Sequence, residues 1–314
     1  MGLVLMLLVS AVAMPVMAAP TDPTKTGTST PGMDSTNGVV VASDGTKYVY
    51  GDTNGDFTSG GGAVIEIAPD GTTTQYNTSN GNAVTAAALS PDGSTLYMAH
   101  GNVSAINLSD GSTAWQYTGS SYVPALATSS GTVYASTGSG SSATVRALSA
   151  SDGTESWSHT LHSNTVRDLV FNNGFVYSGT RTGSVIAYDT FSQSQSWSVS
   201  PSVETNDMAL NNGTLAIAGN SGQVAALDVA DGSTKWTHTP AASGDILKGV
   251  AMDEQRVYVG DWQTGAIYGI ESGSTVFTDT STGQINGLDI GGTALAAVDQ
   301  SGTVHSYSTA RQPT

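Results

Sequence analysis

The chain has 314 residues, with 25 acidic and 9 basic side chains and a net charge of −16. So few basic residues exclude an extended basic surface for nucleic acid, and the absence of cysteine excludes disulfides, cysteine-ligated zinc and a thiol nucleophile. Only 11% of residues are charged, and the abundance of Gly, Ser and Thr is typical of many short strands joined by tight turns. The acidic composition fits a halophilic source and, equally, an ordinary secreted protein of low pI.

An apolar segment opens the chain. Residues 2–12 are almost wholly apolar, and the small residues Ala18 and Ala19 stand where a signal peptidase would cut. We predict a signal peptide over residues 1–18 and a secreted or envelope-associated mature chain; an uncleaved membrane anchor over the same residues is the alternative. Residues 19–35 are expected to form either a linker or a closing strand. No later segment is apolar enough to span a bilayer, so contact with a membrane is expected only through this N-terminal segment.

A repeat of about 40 residues runs through the rest of the chain. The segment from Ala226 to Trp236 recurs, with changes, at three earlier places, and each copy ends in a tryptophan. Phe277 and Tyr76 continue the series on either side. The four tryptophans stand 39 to 42 residues apart: Trp115, Trp157, Trp197 and Trp236. Each period contains strand-forming runs separated by Asn-Gly or Thr-Gly turns, which predicts a four-stranded β-meander.

Seven such periods fill the chain, which predicts an all-β, seven-bladed β-propeller over residues 36–314. The blades are expected at residues 36–80, 81–121, 122–164, 165–204, 205–244, 245–283 and 284–314. The last period is too short for a fourth strand after Tyr307, so residues 22–34 are the candidate for completing that sheet. We expect a monomeric ring.

The repeat pattern Ala-x-Asp-x-x-x-Gly-x-x-x-Trp resembles the tryptophan-docking motif of quinoprotein-type propellers, those with PQQ-like repeats. One blade matches it in full, through Ala226, Asp228, Gly232 and Trp236. In two other blades Asn107 and Ser149 replace the Asp. Residues 89–97 are similar to the start of YVTN-type and WD40-type repeats. The resemblance implies that each tryptophan packs on the neighbouring blade, and so has a structural role.

The resemblance also bears on function. Quinoprotein dehydrogenases use such a propeller to hold pyrroloquinoline quinone, with eight blades and, in many of them, a vicinal disulfide. This chain has no Cys and room for only seven blades, so we expect neither PQQ nor another organic cofactor. Non-enzymatic relatives of the BamB type use the same repeats as a scaffold, and the resemblance implies that use here.

Polar residues begin the inner strands of blades four to seven, whereas small or apolar residues such as Ala86 and Pro124 begin those of blades one to three. Because inner strands start at one end of the central channel, the polar residues should line its mouth: Arg167, Asp168, Asn206, Asp207, Lys248 and Asn286. Hairpin loops on the same face add Arg181, Asp261 and Trp262, the last an aromatic outside the docking series.

These nine residues predict binding of a protein or glycan partner at the cell envelope, without catalysis. The alternative is a hydrated channel mouth with two local charge pairs, Arg167–Asp168 and Lys248–Asp245. A propeller enzyme, lactonase-like, lyase-like or quinone-dependent, is the alternative function for the same mouth. No inner strand begins with His, which favours the scaffold over a metal-dependent enzyme. A structural component of a surface or virion is a third interpretation.

One segment resembles the start of a calcium loop. Asp52, Asn54 and Asp56 place oxygens at alternate positions. The pattern then ends, because Phe57 stands where a Gly is wanted and Ala63 where a bidentate Glu should be. Calcium is therefore the metal to consider here, and a polar Gly-rich turn is the alternative.

Overall fold

The computed structural model describes residues 22–55, 60–120, 122–138, 142–280 and 282–310. Seven four-stranded antiparallel sheets surround a central channel, which confirms the all-β, seven-bladed propeller. The inner strands of successive sheets contact one another around the whole ring. Within these ranges no helix is long and apolar enough to cross a membrane. The segment predicted as signal peptide or anchor, residues 1–18, lies outside the described residues.

Each blade runs from an inner strand at the channel to an outer strand at the rim. The first strand, β1 (Thr24–Ser29), belongs to blade seven. Blade one consists of β2 (Ser35–Val41), β3 (Lys47–Asp52), β4 (Gly62–Ile67) and β5 (Thr73–Asn77). Blade two consists of β6 (Ala86–Leu89), β7 (Thr95–Ala99), β8 (Val103–Asn107) and β9 (Thr113–Tyr117). Blade three consists of β10 (Ala125–Thr128), β11 (Thr132–Thr137), β12 (Ala143–Ser149) and β13 (Glu155–His162).

The remaining blades repeat this order. Blade four consists of β14 (Val166–Asn172), β15 (Phe175–Thr180), β16 (Val185–Asp189) and β17 (Ser194–Val199). Blade five consists of β18 (Asp207–Asn211), β19 (Thr214–Ala218), β20 (Val224–Asp228) and β21 (Thr234–His238), with one 3-10 turn at Asn220–Gly222. Blade six consists of β22 (Leu247–Met252), β23 (Val257–Asp261), β24 (Ile267–Glu271) and β25 (Ser274–Asp279).

Blade seven joins the two ends of the chain. From the channel outward, its first three strands are β26 (Ile285–Gly291), β27 (Ala294–Asp299) and β28 (Val304–Ser308). The strand β1 pairs with β28 as the outer strand of this blade. The N-terminal segment therefore completes the sheet that the C-terminal repeat leaves one strand short. This pairing covers an edge that would otherwise expose unpaired backbone groups, and it closes the ring non-covalently.

The core lies between the blades. Alternate side chains of a strand point to opposite faces of its sheet, and each face here packs against a neighbouring blade. As a result, seven apolar clusters fill the seven interfaces, one at each. The cluster at the closing interface combines Val39 and Val49 of blade one with Val298 and Val304 of blade seven.

Three of the four rim tryptophans, Trp115, Trp197 and Trp236, pack on a turn glycine of the next blade. Trp197 lies over Gly232, and its Nε1 donates to the carbonyl oxygen of Val229 at 2.9 Å. Gly232 has a φ of +76°, and a Cβ there would lie 2.8 Å from the indole, so both conformation and space require glycine. Trp115 contacts Gly153 of blade three in the same way.

Candidate binding site at the channel mouth

The central channel encloses about 570 Å³ and is lined by the inner strands of all seven blades. One end, called the mouth here, is where the inner strands begin. The second hairpin of each blade lies at the same end, because the first residue of an inner strand pairs with the last residue of the strand beside it. In blade four, for example, Val166 pairs with Thr180. Side chains from both places can therefore converge on one ligand.

Seven equivalent positions at the start of the inner strands form a ring around the mouth. This mouth ring consists of Asn37, Thr85, Pro124, Arg167, Asn206, Lys248 and Asn286. Four members donate to a backbone carbonyl of the next blade. Asn37 donates to the carbonyl of Val84, Thr85 to Val123, Asn206 to Leu247 and Asn286 to Thr36, at 2.7 to 3.0 Å. These four side chains hold neighbouring blades together, and Asn206 and Asn286 therefore have a structural task.

Arg167 and Lys248 differ from those four. Among the described residues neither forms an ion pair, so the alternative pairs with Asp168 and Asp245 do not form. Lys248 Nζ donates to Asn286 Oδ1 at 3.2 Å and lies 4.9 Å from the ring centroid of Trp262, a cation–π contact. Burial, and secondly the positive charge of Arg167, lower the pKa of Lys248. The Nε of Arg167 is buried and has no hydrogen-bond partner in the described chain.

Carboxylates lie in the channel next to the ring. Asp168 accepts from the amide of Met208 at 2.8 Å, and Asp207 accepts from the amide of Val250 at 2.6 Å. Each bond joins one blade to the next. Burial raises the pKa of both carboxyls, and the charge of Asp168 raises that of Asp207 further. Since their oxygens are used between blades, we assign this pair to ring packing.

The three predicted hairpin residues occupy different environments. Trp262 is half-buried beside Lys248. Asp261 is fully buried, and its carboxylate accepts from the amides of Gln263 and Thr264 and from the Thr264 hydroxyl, so it caps its own hairpin. Arg181 is exposed and does not line the channel. The structure therefore brings Arg167, Lys248 and Trp262 to one mouth and leaves the other two outside it.

The sequence interpretation missed two channel residues. Asn37 is the mouth-ring member of blade one, a blade that was expected to contribute only small or apolar residues. Its dipeptide Asn37-Gly38 matches Asn286-Gly287 at the equivalent place, and this was the signal available. Asp289 lies deeper and accepts from the amide of Val41 across the closing interface at 2.7 Å; burial raises its pKa to about 7. No repeat pattern marks Asp289.

The calcium-like segment forms a capped hairpin. Asp52 is fully buried, and its Oδ1 accepts from the amides of Asn54 and Gly55, as Asp261 and Asp299 do in their hairpins. Asp56 lies outside the described residues. Calcium binding at this loop stays a prediction.

None of the five histidines lines the channel. Three are buried and bonded to nearby side chains: His100 to Asn80 and Ser104, His162 to Ser178, and His305 to Asp299. In the part of the chain that the structure describes, no three His, Asp or Glu side chains converge as a metal site. The mouth thus offers two cations and an aromatic ring, a set suited to binding an anionic group.

Two solved structures superpose on nearly the whole chain. A chain of the Mitotic Checkpoint Complex crystal structure superposes with a TM-score of 0.75 at 14% identity, covering 98% of both chains. The crystal structure of BamB from Moraxella catarrhalis superposes with a TM-score of 0.63 at 13% identity, covering 91% of this chain and 100% of that one. At such low identities these likenesses show the fold alone.

No curated protein matches the chain. A family model described as outer membrane protein assembly factor BamB matches residues 99–312, more than half of the sequence. The match spans the repeats in which the docking motif was found. With the seven-bladed ring, it shows that this chain belongs to the family of the outer membrane protein assembly factor BamB.

Proposed function

We propose that this chain is a non-enzymatic interaction scaffold, secreted or attached at the cell envelope, which binds a protein partner on its mouth face. One observation carries the proposal: Arg167 and Lys248, two cations without a carboxylate partner among the described residues, lie with Trp262 at the mouth. Burying unpaired cations has a cost, and a partner that contacts them offsets it. Aromatic and arginine side chains are also those that contribute most at protein interfaces.

Membership of the BamB family supports the proposal, since that family is named for an assembly factor. The likeness to a chain of the Mitotic Checkpoint Complex supports it as well, because that propeller belongs to a complex. The envelope location is our inference from the apolar residues 1–18 and from the family name. We also expect the chain to work without PQQ, and calcium at the Asp52 loop remains the metal to test.

The opposite face provides a matched control. Phe191 is 97% exposed in the turn between β16 and β17, which lies at the end of the ring away from the mouth. Truncating it removes an aromatic side chain from the surface, as truncating Trp262 does. The two substitutions therefore compare the two faces with similar chemistry.

The test is affinity capture from the producing cell, followed by mass spectrometry. Wild-type chain and Phe191→Ala are expected to retain the same protein, whereas Lys248→Ala with Trp262→Ala loses it. A partner that is lost only with Phe191→Ala would move the site to the other face. Retention of a glycan, or turnover of a small molecule, in place of a protein would overturn the proposed class of function.

A further inference from the structure

The mouth ring separates two kinds of residue at equivalent positions. Four members donate to a backbone carbonyl of the next blade, and Pro124 has no side-chain donor. Arg167 and Lys248 occupy the same position in blades four and six, on either side of Asn206 in blade five. No side-chain bond joins Arg167 to another blade among the described residues, and a neutral donor could make the bond of Lys248 to Asn286, so inter-blade bonding does not account for their charge.

Among the described residues, Arg167 and Lys248 lack the ion pairs that several other basic residues form, as Lys47 and Arg181 also do, but these two cations lie at the channel mouth. Acidic residues outnumber basic ones by 25 to 9, and Arg146, Lys235 and Arg256 each form an ion pair with a carboxylate. Arg167 and Lys248 have no such pair among the described residues, although Asp168 follows Arg167 directly. At the channel mouth, therefore, an acidic chain has two cations without a carboxylate partner among the described residues.

The surroundings fix where an anion would sit. Asn286 and the ring of Trp262 hold the Lys248 ammonium group, which uses one of its three donors in the bond to Asn286. The planar guanidinium of Arg167 matches the two oxygens of a carboxylate. Asp168 and Asp207 lie next to the ring and would repel a doubly charged phosphate more than a singly charged carboxylate.

We propose that Arg167 and Lys248 form a carboxylate-binding site over Asn206 at the channel mouth. This inference rests on the proposed function: the carboxylate belongs to an acidic side chain of the protein partner. A free small carboxylate shares that chemistry, and the experiment separates the two sources.

The probe is an N-acetylated, C-amidated hexaglutamate peptide, titrated against the full chain at about 0.15 M salt, where the net charge is screened beyond about 8 Å. Hexaglutamine is the neutral control. Because the protein carries −16, non-specific attraction cannot produce binding of hexaglutamate. We expect the wild type to bind hexaglutamate and not hexaglutamine.

The variants test the two cations. Arg167→Gln and Lys248→Gln should each weaken hexaglutamate binding by about tenfold, since each removes a charged hydrogen-bond donor. Arg181→Gln removes the same charge from the same face outside the channel, and should stay within about twofold. Arg167→Lys, which keeps the charge, should retain part of the binding and guards against a folding defect.

Three outcomes would overturn the inference: equal binding of hexaglutamine, wild-type binding by both Gln variants, or an equal loss with Arg181→Gln. Acetate that shifts the Arg167 Nε–H resonance, without hexaglutamate binding, would assign the site to free carboxylates and overturn the acidic partner segment. If Trp262→Ala abolishes partner capture but the wild type does not bind hexaglutamate, the scaffold function is supported and the carboxylate-binding site is contradicted.

Discussion

The channel mouth presents one position in all seven blades and the rim presents one aromatic position in six, yet the two regions use their repeated position differently. At the rim an aromatic side chain occupies that position in blade after blade and packs on a turn of the next blade: Tyr76, Trp115, Trp157, Trp197, Trp236 and Phe277. At the mouth the equivalent residues divide into hydrogen-bonding residues, one proline and two cations. The rim repeats an aromatic residue because neighbouring blades pack against each other in the same way at each interface. At the mouth, the residue varies in the blades where inter-blade packing does not require a particular side chain.

The largest expected effect compares a tryptophan from each region. Trp197→Ala removes a nearly buried indole and its bond to Val229, and should lower the free energy of unfolding by about 3 kcal/mol. Trp262→Ala removes a half-buried indole with no inter-blade task and should cost less than about 1 kcal/mol. Denaturant unfolding of both variants measures the difference. Equal losses would show that the mouth aromatic is also part of the packing, and would break the comparison.

The second prediction concerns pH and the carboxylates of the channel. Burial raises the pKa of Asp289 to about 7, well above the 3.8 of an unperturbed carboxyl. Between these values the folded chain holds a proton that the unfolded chain has released, so stability falls as pH rises through this window. The slope for one carboxyl is at most about 1.4 kcal/mol per pH unit.

Asp289→Asn keeps an acceptor for the Val41 amide but does not titrate. Its stability should therefore depend less on pH between 5 and 7 than that of the wild type, as measured by urea midpoints at each pH. Asp44→Asn is the control, because hydrogen bonds from the Thr46 backbone and side chain lower the pKa of Asp44 below this window. An unchanged slope in Asp289→Asn would show that this carboxyl is already ionised at pH 5.

A smaller effect is expected within the mouth ring itself. Asn286→Ala removes the bond to the Thr36 carbonyl across the closing interface, and should cost about 1 kcal/mol. Lys248→Gln keeps a side-chain donor that can bond Asn286 of the next blade, and should be nearly neutral for stability. Thermal melts of the pair test whether the two kinds of ring member really differ. A larger loss with Lys248→Gln than with Asn286→Ala would remove the basis for treating the cations as free to bind.

The fold was predictable because its determinants repeat. The tryptophan period fixed the number of blades, and the turn glycines marked the hairpins, since both solve the same local problem in every blade. The site was only partly predictable. Arg167 and Lys248 could be placed by counting along the blades, but the bonds of Asn206 and Asn286 to the next blade depend on distances between sheets. Burial of Asp261 likewise follows from the hairpin's three-dimensional shape, which no local pattern encodes.

The smallest expected change in stability concerns Gln193, the residue that replaces the turn glycine in blade four. Gln193 occupies the turn position where Gly232 stands in the next blade, and it has a φ of +51°, a conformation that disfavours side chains. Gln193→Gly should therefore raise the free energy of unfolding by about 0.5 to 1 kcal/mol, after the greater freedom of glycine in the unfolded chain is subtracted. Thermal and denaturant unfolding both have the precision to detect it.

The reverse substitution is the matched control. Gly232→Gln places a side chain where its Cβ would lie 2.8 Å from the Trp197 indole, so it should destabilise the chain more than Gln193→Gly stabilises it. If Gln193→Gly gains nothing, the contact between Gln193 and His159, at 3.4 Å, must offset the left-handed backbone. The rim of blade four would then be stabilised by a local polar contact, in place of the tryptophan-on-glycine packing found at Trp115 and Trp197. Packing of a rim aromatic on a turn glycine would in that case be a rule only for the blades that have the glycine.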